Sequence, residues 1–445
     1  MKKAVSLLLA SAMATSLLAG CGGQEAGGET PDEVALSVTT TYAGNDGNAQ
    51  NYADAVAAFT AETGIVVNDS SATSDEAFKA RIQTDFQAGS EPDVLFFFTG
   101  ADANEFIAEG KVVSLDTIRE TYPEYASNMK DDLLPKSLVD GKNYTVPVNG
   151  IWEAMFVNTA VLEAAGVAVP GADYTWDMFL ADCQTIKDAG YTPIAAALGH
   201  VPHYWWEYSI FNNTTMGTHR EVPADITSGN GPAWVQGMND VKELYDLGYF
   251  PENTLSAQDD ETVAMFLDDK AAFLIDGSWK VGGITSACQA DENDPSTLDT
   301  EKLAKFDVTY VPGKDQRKAT DIIADLSMGY YITTKAWENE ATRDAAVKFV
   351  EYMTTDAQVS KFAAHSTTAL KNAPEVDSEQ LTSLQIKAIE MVAGSTYAQP
   401  AVQDIFPNEA RVSTFDGMPS IVTGEVTAED AVTEGLQIYA EMNAE

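Results

Sequence analysis

"PDVLFFFTGAD", residues 92–102, carries the uninterrupted apolar run Val94 to Phe98 between Pro92-Asp93 and Thr99-Gly100. A short apolar run bounded by turn residues reads as a strand buried on both faces, which is typical of a parallel sheet covered by helices. Upstream, "VALSVTT" from Val34 has strand character. "AQNYADAVAAFTAETG" (49–64) then places Tyr52, Val56 and Phe59 on one helical stripe that stops at Gly64. "IVV" begins a second strand at Ile65, and "DEAFKARIQTDFQAG" (75–89) repeats the helix with its stop at Gly89. Strand, helix, strand, helix, strand predicts an open α/β domain over about residues 34–145.

Further along, "YTVPVNGIWEAMFVN" (144–158) sets two extended pieces on either side of Asn149-Gly150, a place for the chain to cross into a second lobe. Helices are expected in "TWDMFLADCQTIKDAG" (175–190), "PAWVQGMNDVKELYDLG" (232–248), "DETVAMFLDDKAAF" (260–273) and "EATRDAAVKFVEYMTT" (340–355). "TPIAAAL" (192–198) and "MGYYITT" (328–334) have strand character. "HVPHYWWEYSIFNN" (200–213) is dense in aromatics and lacks a helical period.

The first residues have a different design. Lys2 and Lys3 precede an uncharged, Leu- and Ala-rich stretch to Gly20, the layout of an export signal. Leu18, Ala19, Gly20 and Cys21 resemble the lipobox of bacterial lipoproteins, which implies cleavage after residue 20 and a diacylglycerol on the Cys21 sulfur. Residues 21–33, rich in Gly and Glu, read as a lipid-anchored flexible leash.

A length of 445 residues exceeds one ordinary core and suggests two domains or one large α/β unit. A formal charge of −42 makes nucleic acid and anionic lipid surfaces poor partners. Cys183 falls on the apolar face of its expected helix. It could pair with Cys288 in an oxidising compartment, but free thiols are the favoured reading.

Signatures of nucleophilic, zinc, phosphate and dinucleotide chemistry (G-x-S-x-G, H-E-x-x-H, G-x-x-x-x-G-K, G-x-G-x-x-G, C-x-x-C) do not occur, so no enzyme, cofactor or metal is expected. Asp259 and Asp260 suit a helix N-terminus better than a catalytic pair. Pro202 interrupts any helix that would align His200 and His203 as metal ligands. The informative side chains are aromatics beside predicted turns: Phe98, Trp152, the cluster Tyr204, Trp205 and Trp206, and Trp279 after Gly277-Ser278. In open α/β sheets ligands bind beyond the carboxyl ends of strands, where "TYAGND" (41–46) and "FTGAD" (98–102) fall. Aromatic faces suit the C–H side of a sugar ring, while Asp, Asn and Arg suit its hydroxyl rim.

Taken in order, "PDVLFFFTGADANEFIAEGKVVSLD", "YTVPVNGIWEAMFVNTAVLEAAGV" with "TWDMF", "AMFLDDKAAFLIDGSW", "GYYIT" and the tail "TGEVTAEDAV" resemble the extracellular solute-binding proteins of ABC importers, in the carbohydrate-binding cluster that includes maltose-binding protein. The resemblance implies a two-lobed, periplasmic-binding-protein-like α/β fold of type II. Each lobe would be a mainly parallel sheet flanked by helices, and crossing strands would form the hinge. The amino lobe would take residues 34–148 and 327–370, the carboxyl lobe 149–326 and 371–445.

Carried over by position, the implied ligand contacts are Tyr42, Asn45, Asp46, Phe98, Asp102, Asn149, Trp152, Tyr204, Trp205, Trp206, Trp279, Asp325 and Arg411. Arg411 stands where the family often has an aromatic, and "VNT" stands where Tyr-Asn-Lys is common. The implied activity is capture of a mono- or oligosaccharide by a monomer that closes over it, stays near the membrane through Cys21 and delivers to permease subunits. A surface glycan hydrolase or lyase, or a non-transport glycan-binding lipoprotein, is the alternative.

Overall fold

The computed structural model describes residues 34–44, 46–291, 294–364, 366–372 and 381–443. The expected signal peptide, Cys21 and the leash lie outside the described residues, as does Asn45.

Ten strands form two sheets: β1 Ala35–Thr39, β2 Val66–Asp69, β3 Val94–Phe98, β4 Ile151–Asn158, β5 Thr192–Ile194, β6 Ala271–Gly277, β7 Phe306–Thr309, β8 Asp321–Asp325, β9 Met328–Ile332 and β10 Tyr397–Gln399. The first sheet has the order β2-β1-β3-β9, with β1 parallel to β2 and β3 and with β9 antiparallel to β3. The second has the order β10-β8-β4-β6-β5, with β7 also on β4. There β4 opposes β6, β7 and β8, while β10 follows β8 and β5 follows β6. Each sheet therefore runs one way except for a single strand, and in both that strand is the one delivered by the neighbouring lobe. β9 enters the first sheet straight from β8, and β4 enters the second from the Val146 segment, which bridges to Tyr330 of β9. This is the two-lobed type II architecture, with the reversed strands as its crossing elements.

The amino half follows its sequence pattern closely. The helix Ala49–Thr63 buries Tyr52, Ala55 and Phe59 and ends at Gly64 in the left-handed region, where glycine carries no Cβ penalty. In the next helix, Glu76–Ala88, the Asp75 carboxylate accepts from the Phe78 N–H, and Gly89 closes the end in the same left-handed way. Between these helices and β9, Val94 to Phe97 are buried, as a strand covered on both faces must be. Burying each such Phe contributes about 1.5–3 kcal/mol.

Two expectations fail. The helix expected over 260–273 spans Asp259–Leu267 only, and Ala271–Phe273 begin the buried strand β6 instead. His203–Asn213 is a helix, starting immediately after Pro202. Its residues 204–212 are buried all round, so no polar face marks a 3.6-residue period. Pro202 precedes the helix instead of breaking it, because a missing N–H costs nothing ahead of the first turn. Cys183 and Cys288 are free, buried thiols. Among the described residues no helix is long and apolar enough to cross a membrane.

Candidate functional site: the cleft between the lobes

The chain passes from the first sheet to the second at residues 148–151 and back at 325–328, and these passages floor the cleft. They are tied to a third segment: the Gly150 N–H donates to the Thr367 carbonyl (2.7 Å) and the Ser366 hydroxyl to the Gly150 carbonyl (2.6 Å). The lobes are closed on each other. Gly47 of the first meets Gly282 of the second, and Gly100 lies against the Asp404 backbone so tightly that a Cβ would collide with its carbonyl.

Among the described residues, a smaller and a larger cavity lie between the lobes. The smaller, about 50 Å³, is lined by Tyr42, Asp46 and Phe96 from the first lobe, Asn149 from the crossing and Ser278 and Trp279 from the second. Tyr42 Oη donates to Asn149 Oδ1 at 2.9 Å. The Tyr42 ring stacks on Phe96 at 4.6 Å and meets the edge of Phe362 at 5.0 Å, so its position is fixed by packing. Trp279 opens the helix Lys280–Ala287 directly after β6, and Tyr204 stands 6.0 Å from its ring. Burial pushes the Asp46 carboxyl up to about 6, against the Asn48 N–H that favours its charged form.

The larger cavity, about 440 Å³, is bounded by Thr99, Gly100 and the segment 132–138 on one side and by Arg220, Asp325, Leu326, Pro400 and Asp404 on the other. Burial, reinforced by Asp325, pushes the Asp404 carboxyl up to about 8, while Arg220 pulls the other way. Burial also raises Asp325.

A third feature bridges the lobes without lining either cavity. Arg411, 1 % exposed, points Nη2 at Glu76 Oε2 (3.3 Å) and Asp102 Oδ1 (3.5 Å), and its Nη1 donates to the carbonyls of Gln403 and Phe406 at 2.9 Å. Lys79 Nζ meets the same two acids, at 2.7 Å from Glu76 and 3.3 Å from Asp102. Burial alone would lower the Arg411 pKa, but Asp102 and Glu76 outweigh it and hold the guanidinium above its ordinary range.

The structure thus distributes the sequence-predicted residues. Tyr42, Asp46, Asn149 and Trp279 share the smaller cavity, with Tyr204 beside Trp279. Asp325 lines the larger one. Asp102 and Arg411 pair with each other, and Phe98 lies under the Lys79 ammonium at 4.6 Å. Three aromatics belong to the second lobe's core instead of the cavity walls. Trp205 packs on Phe179 and Phe250, Trp206 stacks on Phe415 at 4.1 Å, and Trp152 sits 6.0 Å from Phe156.

Several charged residues escape sequence reasoning. Glu153, inside β4, is fully buried, and neither carboxyl oxygen has a hydrogen-bond partner. Burial, with Glu207, Asp404 and Asp276 nearby, pushes it well above the ordinary carboxyl range. Glu207 accepts from the N–H groups of Val402 (2.9 Å) and Gln403 (2.7 Å). The available signal is a lone acid in each otherwise apolar run, "IWEAMFV" and "YWWEYSIF".

Two α/β lobes closed on each other and joined by reversed crossing strands are the architecture of type II binding proteins. Residues 44–360 match the family described as "Bacterial extracellular solute-binding protein", and the chain belongs to that family. A candidate binding protein of Brucella abortus (strain 2308) is 30% identical over 110 residues, a match that spans about a quarter of each chain: 25% of this one and 26% of the relative. Among solved structures, a chitin oligosaccharide binding protein superposes with a TM-score of 0.77 at 22% identity, covering 93% of this chain and all of that one. The maltose/maltodextrin-binding domain from Bdellovibrio bacteriovorus, bound to maltotriose, gives 0.68 at 17% identity, over 92% of this chain and 100% of that one. A substrate-binding protein from Listeria monocytogenes, in complex with cycloalternan, gives 0.71 at 18% identity, over 93% and 100%.

Proposed function

We propose that this protein is the substrate-binding component of an ABC importer, and that it captures a sugar or oligosaccharide in the interlobe cleft. The observation that carries the reading is the cleft itself, where Tyr42 and Asp46 of one lobe and Ser278 and Trp279 of the other line one cavity. A solute touching both walls favours the closed form by the contacts it adds there, which is how binding becomes a shape that a permease can read. The sugar assignment is supported by the pairing of Trp279 and Tyr204 with Asp46 and Asn149, and by relatives of the same fold whose bound molecules are saccharides. No part of this role requires catalysis.

In the same reading, Cys21 carries the lipid that holds a monomer at the extracytoplasmic face of the membrane, and residues 21–33 give it reach. The lobes divide at 148/149, 326/327 and 370/371. Tryptophan fluorescence and thermal-shift titrations against mono- and oligosaccharides test the proposal. A saturable response to at least one sugar is expected, and no response across the panel overturns it. Globomycin-sensitive processing and loss of membrane association in Cys21→Ser test the anchor.

A further inference from the structure

Carboxyls crowd the seam where the two lobes meet. The first lobe brings Glu76, Asp102 and Lys79 to it, and the second brings Arg411 and Asp416. Lys79, Asp102 and Arg411 are buried there, so three acids share two cations in a contact made by both lobes. The Oδ2 of Asp416 is buried with no hydrogen-bond partner among the described residues. A charged carboxyl left in that state costs more than a neutral one, so the unmatched acid is the one suited to hold a proton.

A second acid of the same lobe is seated against the seam. Asp404 is 7 % exposed and its Oδ2 is also buried without a partner. Its backbone is pressed on Gly100 of the first lobe, where an added Cβ would lie 1.9 Å from the Asp404 carbonyl oxygen. The segment is fixed from behind, because Glu207 accepts from the Val402 and Gln403 N–H groups and Arg411 Nη1 donates to the Gln403 carbonyl. Around the Asp404 carboxyl, Asp325 of the crossing, Glu207 and Glu153 of its own lobe and Asp102 of the other all disfavour its charge, and Arg220 favours it. Asp132 and Lys136 on the opposite wall of the larger cavity offset each other, and His219 stands behind Glu207 at 3.7 Å. Burial is the first cause that lifts Asp404 to about 8 and Asp416 to about 6.

We propose that closure of the lobes is coupled to proton binding: Asp404 and Asp416 take up protons as the seam forms, so mild acid favours the closed form and tightens its hold on the solute. Parting the lobes carries Asp102 and Glu76 away and admits water, which returns both carboxyls toward the ordinary 3.8. The closed form therefore binds protons that the open form has released, and its advantage fades as pH rises through the closed-state values. The inference rests on the reading of capture by closure, and its test separates the coupling from the identity of the solute.

Each proton taken up with the solute raises affinity about tenfold per unit fall in pH. With maltotriose, chitotriose and xylotriose as probes, calorimetry at pH 7 and fixed ionic strength, in two buffers of different ionisation enthalpy, should find more than about half a proton taken up per solute bound. Affinity should rise at least about tenfold from pH 8 to pH 6. Asp404→Asn, whose amide stands in for the protonated carboxyl, should lose most of the uptake at pH 7, and Asp416→Asn should lose the part that appears nearer pH 6. A field effect of the acidic chain as a whole would survive both substitutions. A pH slope that does so, or binding with no proton uptake, overturns the coupling and leaves the receptor standing. If no probe binds, the sugar reading falls and small-angle scattering decides the coupling by itself. The radius of the protein without added solute should then shrink from pH 8 to pH 6 in the wild type and hold constant in Asp404→Asn/Asp416→Asn, and a wild-type radius indifferent to pH overturns it.

Discussion

Gly47 and Gly282 meet across the cleft at a distance that excludes any side chain: a Cβ built on Gly282 would lie 2.4 Å from the Gly47 Cα. Neither backbone lies in the left-handed region, so it is the opposing lobe that demands glycine here. Gly282 is within the helix Lys280–Ala287, where alanine favours the helix by roughly 1 kcal/mol. Gly282→Ala is therefore expected to leave the second lobe as stable as before and to keep the lobes from closing fully. Small-angle scattering should give a larger radius for the variant than for the wild type at saturating ligand, with weaker binding. Equal radii would mean that this contact does not limit closure.

Arg411 acts on the same equilibrium from the far end of the cleft. Its side chain is buried between backbone carbonyls of its own lobe and two acids of the other, so truncation removes one of the two cations, Arg411 and Lys79, that face Asp102 and Glu76. Removing one partner of a buried ion pair typically costs about 3–5 kcal/mol. Arg411→Ala should lower the melting temperature and expand the ligand-free protein, and Arg411→Lys should recover only part, since a single ammonium cannot span both carboxylates and both carbonyls. A variant as compact as the wild type would show that the pair fastens nothing.

These contrasts also show what the sequence could convey. Strand–helix alternation from Val34 to Phe98 was legible because each helix has a polar face and a glycine stop, and each strand is short and begins or runs apolar. The turn before Trp279 was legible for a similar local reason. The helix at 203–213 was hidden, since burial on every side erases the pattern that would reveal it, and aromatic density alone cannot separate Tyr204, which meets Trp279, from Trp205 and Trp206, which pack in the core. Arg411 was legible as unusual, yet its acidic partners Glu76 and Asp102 lie more than 300 positions away. Only the folded chain pairs them.

Trp206 and Trp279 supply a direct comparison. Trp206→Ala removes a fully buried indole stacked on Phe415 and should cost about 3–5 kcal/mol of stability. Binding should persist wherever the protein remains folded. Trp279→Ala should spare most of the stability and weaken saccharide binding. Paired thermal melts and titrations separate the two effects, and the reverse pattern would place Trp206 at the ligand.

Buried carboxyls set the pH profile of stability. Asp404 is pushed up to about 8, and Asp46, Asp276 and Asp416 to about 6, each from an ordinary 3.8. A raised folded-state value means that between about pH 4 and 8 the native protein holds protons that the unfolded chain has released, so stability falls as pH rises through that window. For Asp404 the causes are burial first, then Asp325, with Glu207 and Asp102 adding and Arg220 opposing. The melting temperature should therefore decline from pH 5 to pH 8, and Asp404→Asn, which cannot ionise, should flatten the upper part of the decline between pH 6 and 8. A wild-type melting temperature that rises over this range, or an Asp404→Asn profile parallel to it, would show that these carboxyls ionise normally in the folded protein.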